Sequence, residues 1–164
     1  MSLSLVALVA FVLMEPFAAG AHRLVMHGPG WGWHRSHHVG RHNRVEDNDR
    51  FPVFFAGATV TAMAIGALTG PTWLLGAGAG VTAYGAAYLF VHDVCVHGRL
   101  THGRPLVRGR WLRWVAASHA VHHRTNRGPY GFLCPVPAGF SIAAGRRWSL
   151  ATVAISNLGR RSKS

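Results

Sequence analysis

Two long stretches of this 164-residue sequence contain no lysine or arginine. Met1–Gly20 and Phe51–Val91 are cation-free, and all 17 basic residues fall in Ala21–Arg50 and His92–Ser164. A soluble core does not separate its charges so strictly, whereas a chain that crosses a bilayer does. Carboxylates are scarce as well, with five Asp and Glu in all. No paired Glu-x-x-His motifs occur, which excludes the carboxylate-bridged metal site of soluble helix bundles. Cys95 and Cys134 stand alone without a C-x-x-C, so there is no disulfide framework, and a reducing compartment fits. There is no G-x-G-x-x-G, and the chain is too short for a flavin or nicotinamide domain, so electrons for redox chemistry must come from outside. The net charge of +12 is not accompanied by a nucleic-acid-binding module. Arginines facing anionic lipid headgroups account for it, and nucleic acid is not an expected partner.

The apolar stretches read as three membrane spans, at about 1.5 Å of rise per residue: 2–21, 51–70 and 72–91. The first is not a cleavable signal, because it has no basic start and Glu15-Pro16 interrupts it. Gly70-Pro71 separates the other two, since proline cannot continue one helix but suits the first turn of the next. Gly66, Gly76, Gly78, Gly80 and Gly85 allow close helix packing. Three crossings leave every cation on one face, and the positive-inside rule makes that face cytoplasmic. Val39–Arg50, with Glu46, Asp47 and Asp49, reads as a surface connection. Gly109–Arg127 is too polar to span and suits an interfacial helix. Pro129–Gly139 reads as a loop or shallow re-entrant piece, and 146–164 as a basic tail. The expected fold is an all-α integral membrane protein, one domain over 1–164, with about three transmembrane helices plus interfacial helices.

Histidine is what the chain has in excess. His22-x4-His27 is followed by His34-x2-His37-His38, and the same order returns as His92-x4-His97 and His119-x2-His122-His123. Ten of the 12 histidines belong to these two blocks, 22–38 and 92–123; only His42 and His102 stand outside. On a helix, residues at i, i+3 and i+4 share a face, so each triplet can present three imidazoles together. The x4 pairs are i, i+5, about 140° apart on an ideal α-helix. They converge only where the helix loosens or ends, and Gly28 and Gly98 follow them directly. One histidine is most simply a satisfied polar side chain, but ten in a duplicated pattern have no packing reason. All ten are therefore expected to be metal ligands. Ten imidazoles exceed the four to six that saturate one ion, so two ions are implied, and nitrogen ligation suits Fe, Zn, Cu or Ni. Haem takes one axial ligand per side and has no use for triplets. Glu15 lies two helical turns before His22. It reads either as an outer partner of a histidine or as a helix-packing hydrogen bond. Asp93, beside His92, is the other acceptor that could orient a ligand. A metal transporter should place ligands midway along a span, and here they sit at or beyond the membrane edge.

These motifs resemble the membrane fatty acid hydroxylase/desaturase superfamily, and within it the bacterial β-carotene hydroxylases. The resemblance rests on Met14-Glu15, His22 to His27-Gly28, Gly30-Trp31-Gly32-Trp33-His34, His37-His38 and Asn48-Asp49. It continues through His92-Asp93, His97, Arg99, His119-x2-His122-His123 and Gly131-Phe132-Leu133, over roughly Met14 to Pro137. It implies a non-haem di-iron monooxygenase of the bacterial inner membrane, with its metal site on the cytoplasmic face. The implied reaction is O2-dependent hydroxylation of β-ionone rings at carbon 3, taking β-carotene through β-cryptoxanthin to zeaxanthin. The implied cofactors are two iron ions, for which zinc can substitute in isolated material, and the implied electron donor is a ferredoxin or similar reductant. The arginines near Arg104–Arg113 would meet that acidic donor or membrane lipid. The alternative is a fatty acyl or sterol hydroxylase or desaturase, or a carotenoid ketolase, using the same metal site.

Overall fold

The computed structural model describes residues 2–39, 45–99, 101 and 105–136. His42, His102 and the basic tail 146–164 lie outside the described residues. All regular structure among the described residues is helical.

Helix α1 (Leu3–Ala21) opens on Ser2, whose hydroxyl accepts from the Leu5 N–H at 3.3 Å. This is the usual way to satisfy an unpaired first-turn donor. The helix is not ended by Pro16 and runs directly into a π-helical turn, His22–Met26. Helix α2 (Trp31–Val39) follows, then a 3₁₀ turn, Asp47–Asp49, leading into α3 (Arg50–Thr69). Gly70 stops α3 in the left-handed region at φ 101°, where only glycine sits without strain. Helix α4 (Trp73–Tyr88) returns and passes into a second π-helix, Leu89–Val96. Helix α5 (Gly109–Thr125) ends on Asn126 at φ 52°.

Three helical runs are long and apolar enough to cross a membrane: Leu3–Met26, Asp47–Thr69 and Trp73–Val96. They contain the three expected spans with small shifts at the ends, and the chain is a membrane protein. Large apolar side chains such as Leu8, Val12, Val53, Phe54 and Leu68 point outward. On a soluble protein such a patch would drive aggregation, but in a bilayer lipid covers it. Glycine sets the closest contact. A Cβ on Gly76 would lie 2.8 Å from the Leu3 carbonyl oxygen, and one on Gly80 would overlap the Ala7 carbonyl oxygen. Helices α1 and α4 therefore touch backbone to backbone. The end of α1, the start of α3 and the end of α4 lie together at one end of this bundle, where α2 and α5 pack.

Candidate metal centre

The x4 spacing is explained by the π-helices. The His27 N–H donates to the His22 carbonyl at 3.0 Å, and the His97 N–H to the His92 carbonyl, also at 3.0 Å. Each is an i→i+5 bond, which widens the turn so that residues five apart overlie one another. The 140° separation expected on an α-helix is thereby removed.

Ten imidazoles meet at this end of the bundle. In the first group, His22, His27, His34, His38 and His122 each offer a nitrogen, and these atoms all lie within 4.8 Å of one another. His37, His92, His97 and His119 form the second group by the same measure. His123 borders the second group, with its Nε2 3.1 Å from that of His37 and its ring stacked on His38 at 4.3 Å. The triplets do not each converge on one point, as the helical spacing suggested. His34 and His38 face one group while His37 faces the other, and His119 and His122 divide in the same way. The reason is that α2 and α5 both lie between the two groups, so each helix serves both sides.

The proton positions show what the groups can hold. The His22 Nδ1–H donates to the Tyr130 carbonyl at 2.9 Å, and that of His122 to the Arg127 carbonyl at 2.9 Å. A carbonyl only accepts, so the proton is on Nδ1 and the Nε2 lone pair is bare. The His34 Nδ1–H donates to Asn48 Oδ1 at 2.7 Å. His37 donates to Glu46 at 3.1 Å, and His92 to Asp93 at 2.7 Å. Yet Nε2 of His22 lies 3.0 Å from Nε2 of His34, and Nε2 of His27 lies 3.1 Å from that of His122. In the second group the His97 and His119 Nε2 atoms are 2.8 Å apart. In His22 and His34 both protons are on Nδ1, so their two bare lone pairs at 3.0 Å repel unless a cation sits between them. A proton does not serve. Burial first, and the neighbouring imidazoles next, hold His27 at about 4 and His38 at about 2. His34 is lowered to about 4, again chiefly by burial. His37 and His119 are pushed well below the ordinary imidazole value for the same reasons. Neutral imidazoles aimed at shared points and oriented by outer acceptors are a metal-binding arrangement.

Several of those outer residues were not evident from the sequence. Glu46 and Asn48 belong to the stretch expected to be a surface connection, yet they are 8% and 4% exposed. For these two residues the expectation fails because α2 packs back onto the 3₁₀ turn, while Val39 and Val45 are exposed as expected. The signal was present: three of the chain's five acids fall within four residues there. Asp93 stands where the sequence suggested, against His92. The Glu15 carboxylate does not reach a histidine. Its Oε2 accepts from the Tyr84 hydroxyl at 2.7 Å, and its Oε1 from the backbone N–H groups of Phe132 and Cys134 at 2.9 Å. Leu133 N–H reaches both oxygens. Gly131 permits this, because a Cβ there would lie 2.6 Å from Oε1. The carboxylate therefore holds the loop whose Tyr130 carbonyl orients His22.

An apolar cleft of about 400 Å³ opens between α1, α3 and α4. Met14, Phe17, Phe55, Val60 and Val81 line its walls, and Tyr88 and Phe132 lie at the metal-centre end. The Phe132 ring stacks on His22 at 4.9 Å and the Tyr88 ring on His92 at 4.8 Å. The cleft therefore reaches both histidine groups through two aromatic rings.

Fold and site together define a helical membrane protein that carries a histidine-rich metal centre beside a lipid-facing cleft. The fatty acid hydroxylase family model matches residues 7–137, and the chain belongs to that family of hydroxylase enzymes. It is 41% identical over 138 residues to a beta-carotene hydroxylase of Pantoea ananas, covering 82% of this chain and 78% of the relative. A beta-carotene hydroxylase of Pseudescherichia vulneris is 42% identical over 122 residues, 73% of this chain and 67% of the relative. The beta-carotene 3-hydroxylase 1 of Arabidopsis thaliana chloroplasts is 42% identical over 132 residues, 77% of this chain and 42% of the relative. No solved structure matches the chain.

Proposed function

We propose that this chain hydroxylates β-ionone rings at carbon 3, converting β-carotene through β-cryptoxanthin to zeaxanthin. The relatives that match most of its length are named beta-carotene hydroxylases, and a plant relative is named a beta-carotene 3-hydroxylase. The observation that carries the reading is the meeting of the apolar cleft with both histidine groups at Tyr88 and Phe132. A hydrocarbon ring has no polar handle, so it must be held by shape and burial, which is what these walls offer.

The ligands would be all ten block histidines, with His22, His27, His34, His38 and His122 serving one ion. His37, His92, His97, His119 and His123 would serve the second. Two bound iron ions would supply O2 activation, with one oxygen atom entering the C–H bond and the other leaving as water at the expense of two electrons and two protons. Iron is the metal that the family resemblance implies, and zinc, which has no redox chemistry, would not serve. The chain's own part is to present and shield. Tyr130, Asn48, Glu46, Asp93 and the Arg127 carbonyl fix the rings with Nε2 inward. Tyr88 and Phe132 place a ring edge beside the site and exclude water from it. The electrons would come from a ferredoxin or similar donor. The metal site would face the cytoplasm at the bacterial inner membrane, by the bias of the basic residues.

The test is expression in a bacterium that accumulates β-carotene, with an electron donor supplied, beside a His122→Ala control. Zeaxanthin from the natural chain and none from the control is the expected result. Unchanged β-carotene with the protein present in the membrane would overturn the ring-hydroxylase reading and direct the same assay to fatty acyl and sterol substrates.

A further inference from the structure

We propose that Arg99 and Asp49 form a positioning clamp that holds the ligand His92 in the second histidine group by gripping the far oxygen of Asp93. The clamp rests on the reading above in one respect, that each group holds an ion.

Asp93 faces a difficulty that the other acceptors do not. It is the immediate neighbour of His92, and its Oδ1 must turn back to take the ring Nδ1–H at 2.7 Å. A carboxylate held at one oxygen only can rotate about its side chain and leave the ring. Arg99 removes that freedom, because its Nη1 donates to Asp93 Oδ2 at 3.1 Å. The Arg99 N–H also donates to the Asp93 carbonyl at 2.8 Å, which sets the backbone between them. Arg99 is held in turn from another element. Its Nη1 and Nη2 donate to the two oxygens of Asp49, at 2.9 and 2.7 Å. This is the forked pairing that fixes a guanidinium in both distance and plane. Asp49 is fixed as well, since its Oδ2 accepts from the Glu46 N–H at 2.9 Å. The path Glu46, Asp49, Arg99, Asp93, His92 thus ties the turn before α3 to the π-helix after α4.

Burial separates this pair from an ordinary surface one. The Arg99 side chain is 6% exposed and that of Asp49 28%. On the same turn, Arg50 and Asp47 form a 3.2 Å pair with both side chains more than half exposed. Exposed pairs of that kind contribute little, whereas a forked pair on a buried guanidinium sets geometry. The Arg50 pair is therefore an internal control.

The experiment is a cobalt(II) titration of the full-length, detergent-purified chain after chelator stripping, read by bound metal per chain and by visible absorption. Helical content is followed in parallel by circular dichroism. The native chain is expected to bind two ions. Arg99→Met and Asp49→Asn are expected to weaken one ion about 10–100-fold and leave the other at its native affinity, the range typical of outer-shell ligand supports. Arg99→Lys, which keeps the charge without the fork, should fall between, and Arg50→Gln should match the native chain. Native affinities in all the variants would overturn the clamp. So would equal weakening of both ions, or loss of helicity in all three clamp variants, since the pair would then hold the fold and not a ligand. A native chain that binds fewer than two ions would instead sink the two-ion reading, which separates the two failures.

Discussion

Replacing Glu15 by glutamine keeps the side chain's shape and removes its charge, which isolates the electrostatic role of an acid inside a membrane span. The carboxylate accepts from three consecutive backbone N–H groups, Phe132 to Cys134, and from the Tyr84 hydroxyl. A hydrogen bond to a charged group contributes about 1.5–3 kcal/mol net and a neutral one about 0.5–1.5 kcal/mol. Glutamine therefore gives up about 1 kcal/mol on each of the three backbone bonds. Glu15 is only half-buried in the bare protein, which lowers the sum to about 2–3 kcal/mol wherever water reaches it. For a chain of this size that is a fall of roughly 4–12 °C in the apparent melting temperature. The loosened loop carries Tyr130, whose carbonyl orients His22, and Phe132, which walls the cleft. Hydroxylation should therefore fall along with stability. Thermal unfolding of the detergent-purified protein, followed by circular dichroism, measures the first effect, and pigment chromatography the second. Tyr84→Phe removes one donor outright, a bond to a charged group of about 1.5–3 kcal/mol before the same discount, so its cost should be comparable to that of the glutamine. A Glu15→Gln protein melting within about 2 °C of the native chain would refute the reasoning, as would a Tyr84→Phe protein that melts with the native chain.

Two further outcomes follow from packing and from protonation. Gly80→Val should destabilise by at least about 1–3 kcal/mol, because its Cβ has no room beside the Ala7 carbonyl and the Ala10 methyl group. Gly57→Ala, with nothing within 4 Å, should be neutral or stabilising; equal melting of the two variants would refute the close α1–α4 contact. In the metal-free protein, the unfolded chain takes up protons on its imidazoles from about pH 6.5. Folded His27 and His34 do so only near 4 and His38 near 2. Below 6.5 the unfolded state therefore binds more protons, and stability should fall as the pH drops from 6.5 toward 4, with little change above 7. A urea midpoint that stays flat or rises from pH 7 to pH 5 would contradict this.

The spans were legible in the sequence because a bilayer dictates length and polarity at once. The cation-free stretches could hardly be anything else. The histidines were legible because imidazole has few roles in numbers. What could not be read came from three sources. The His22–His27 and His92–His97 spacings fit no α-helix and pointed to a loosening there, but that the loosening takes the form of a π-turn is not written in the side-chain pattern. Glu46 and Asn48 sit in a polar stretch between spans, and polarity there reads as solvent until α2 is seen to cover it. The Tyr130 and Arg127 carbonyls are backbone groups, which have no sequence signature at all.

The division of the triplets carries the most consequence. In His34-x2-His37-His38 the middle residue leaves its own block's group, and in His119-x2-His122-His123 the middle residue does the same. Each block thus lends one imidazole to the other, His37 to the group around His92 and His122 to the group around His22. Neither group can be assembled from one half of the chain. The Gly76 and Gly80 contacts bring α1 against α4, and that packing delivers His22 and His92 to the same end of the bundle. Helices α2 and α5 must then both dock before either group is complete. A metal bound by such a set stabilises only the fully packed state, because the unfolded chain holds no comparable array of nitrogens. The duplicated pattern is therefore a reciprocal one, in which helix packing and metal binding would depend on each other.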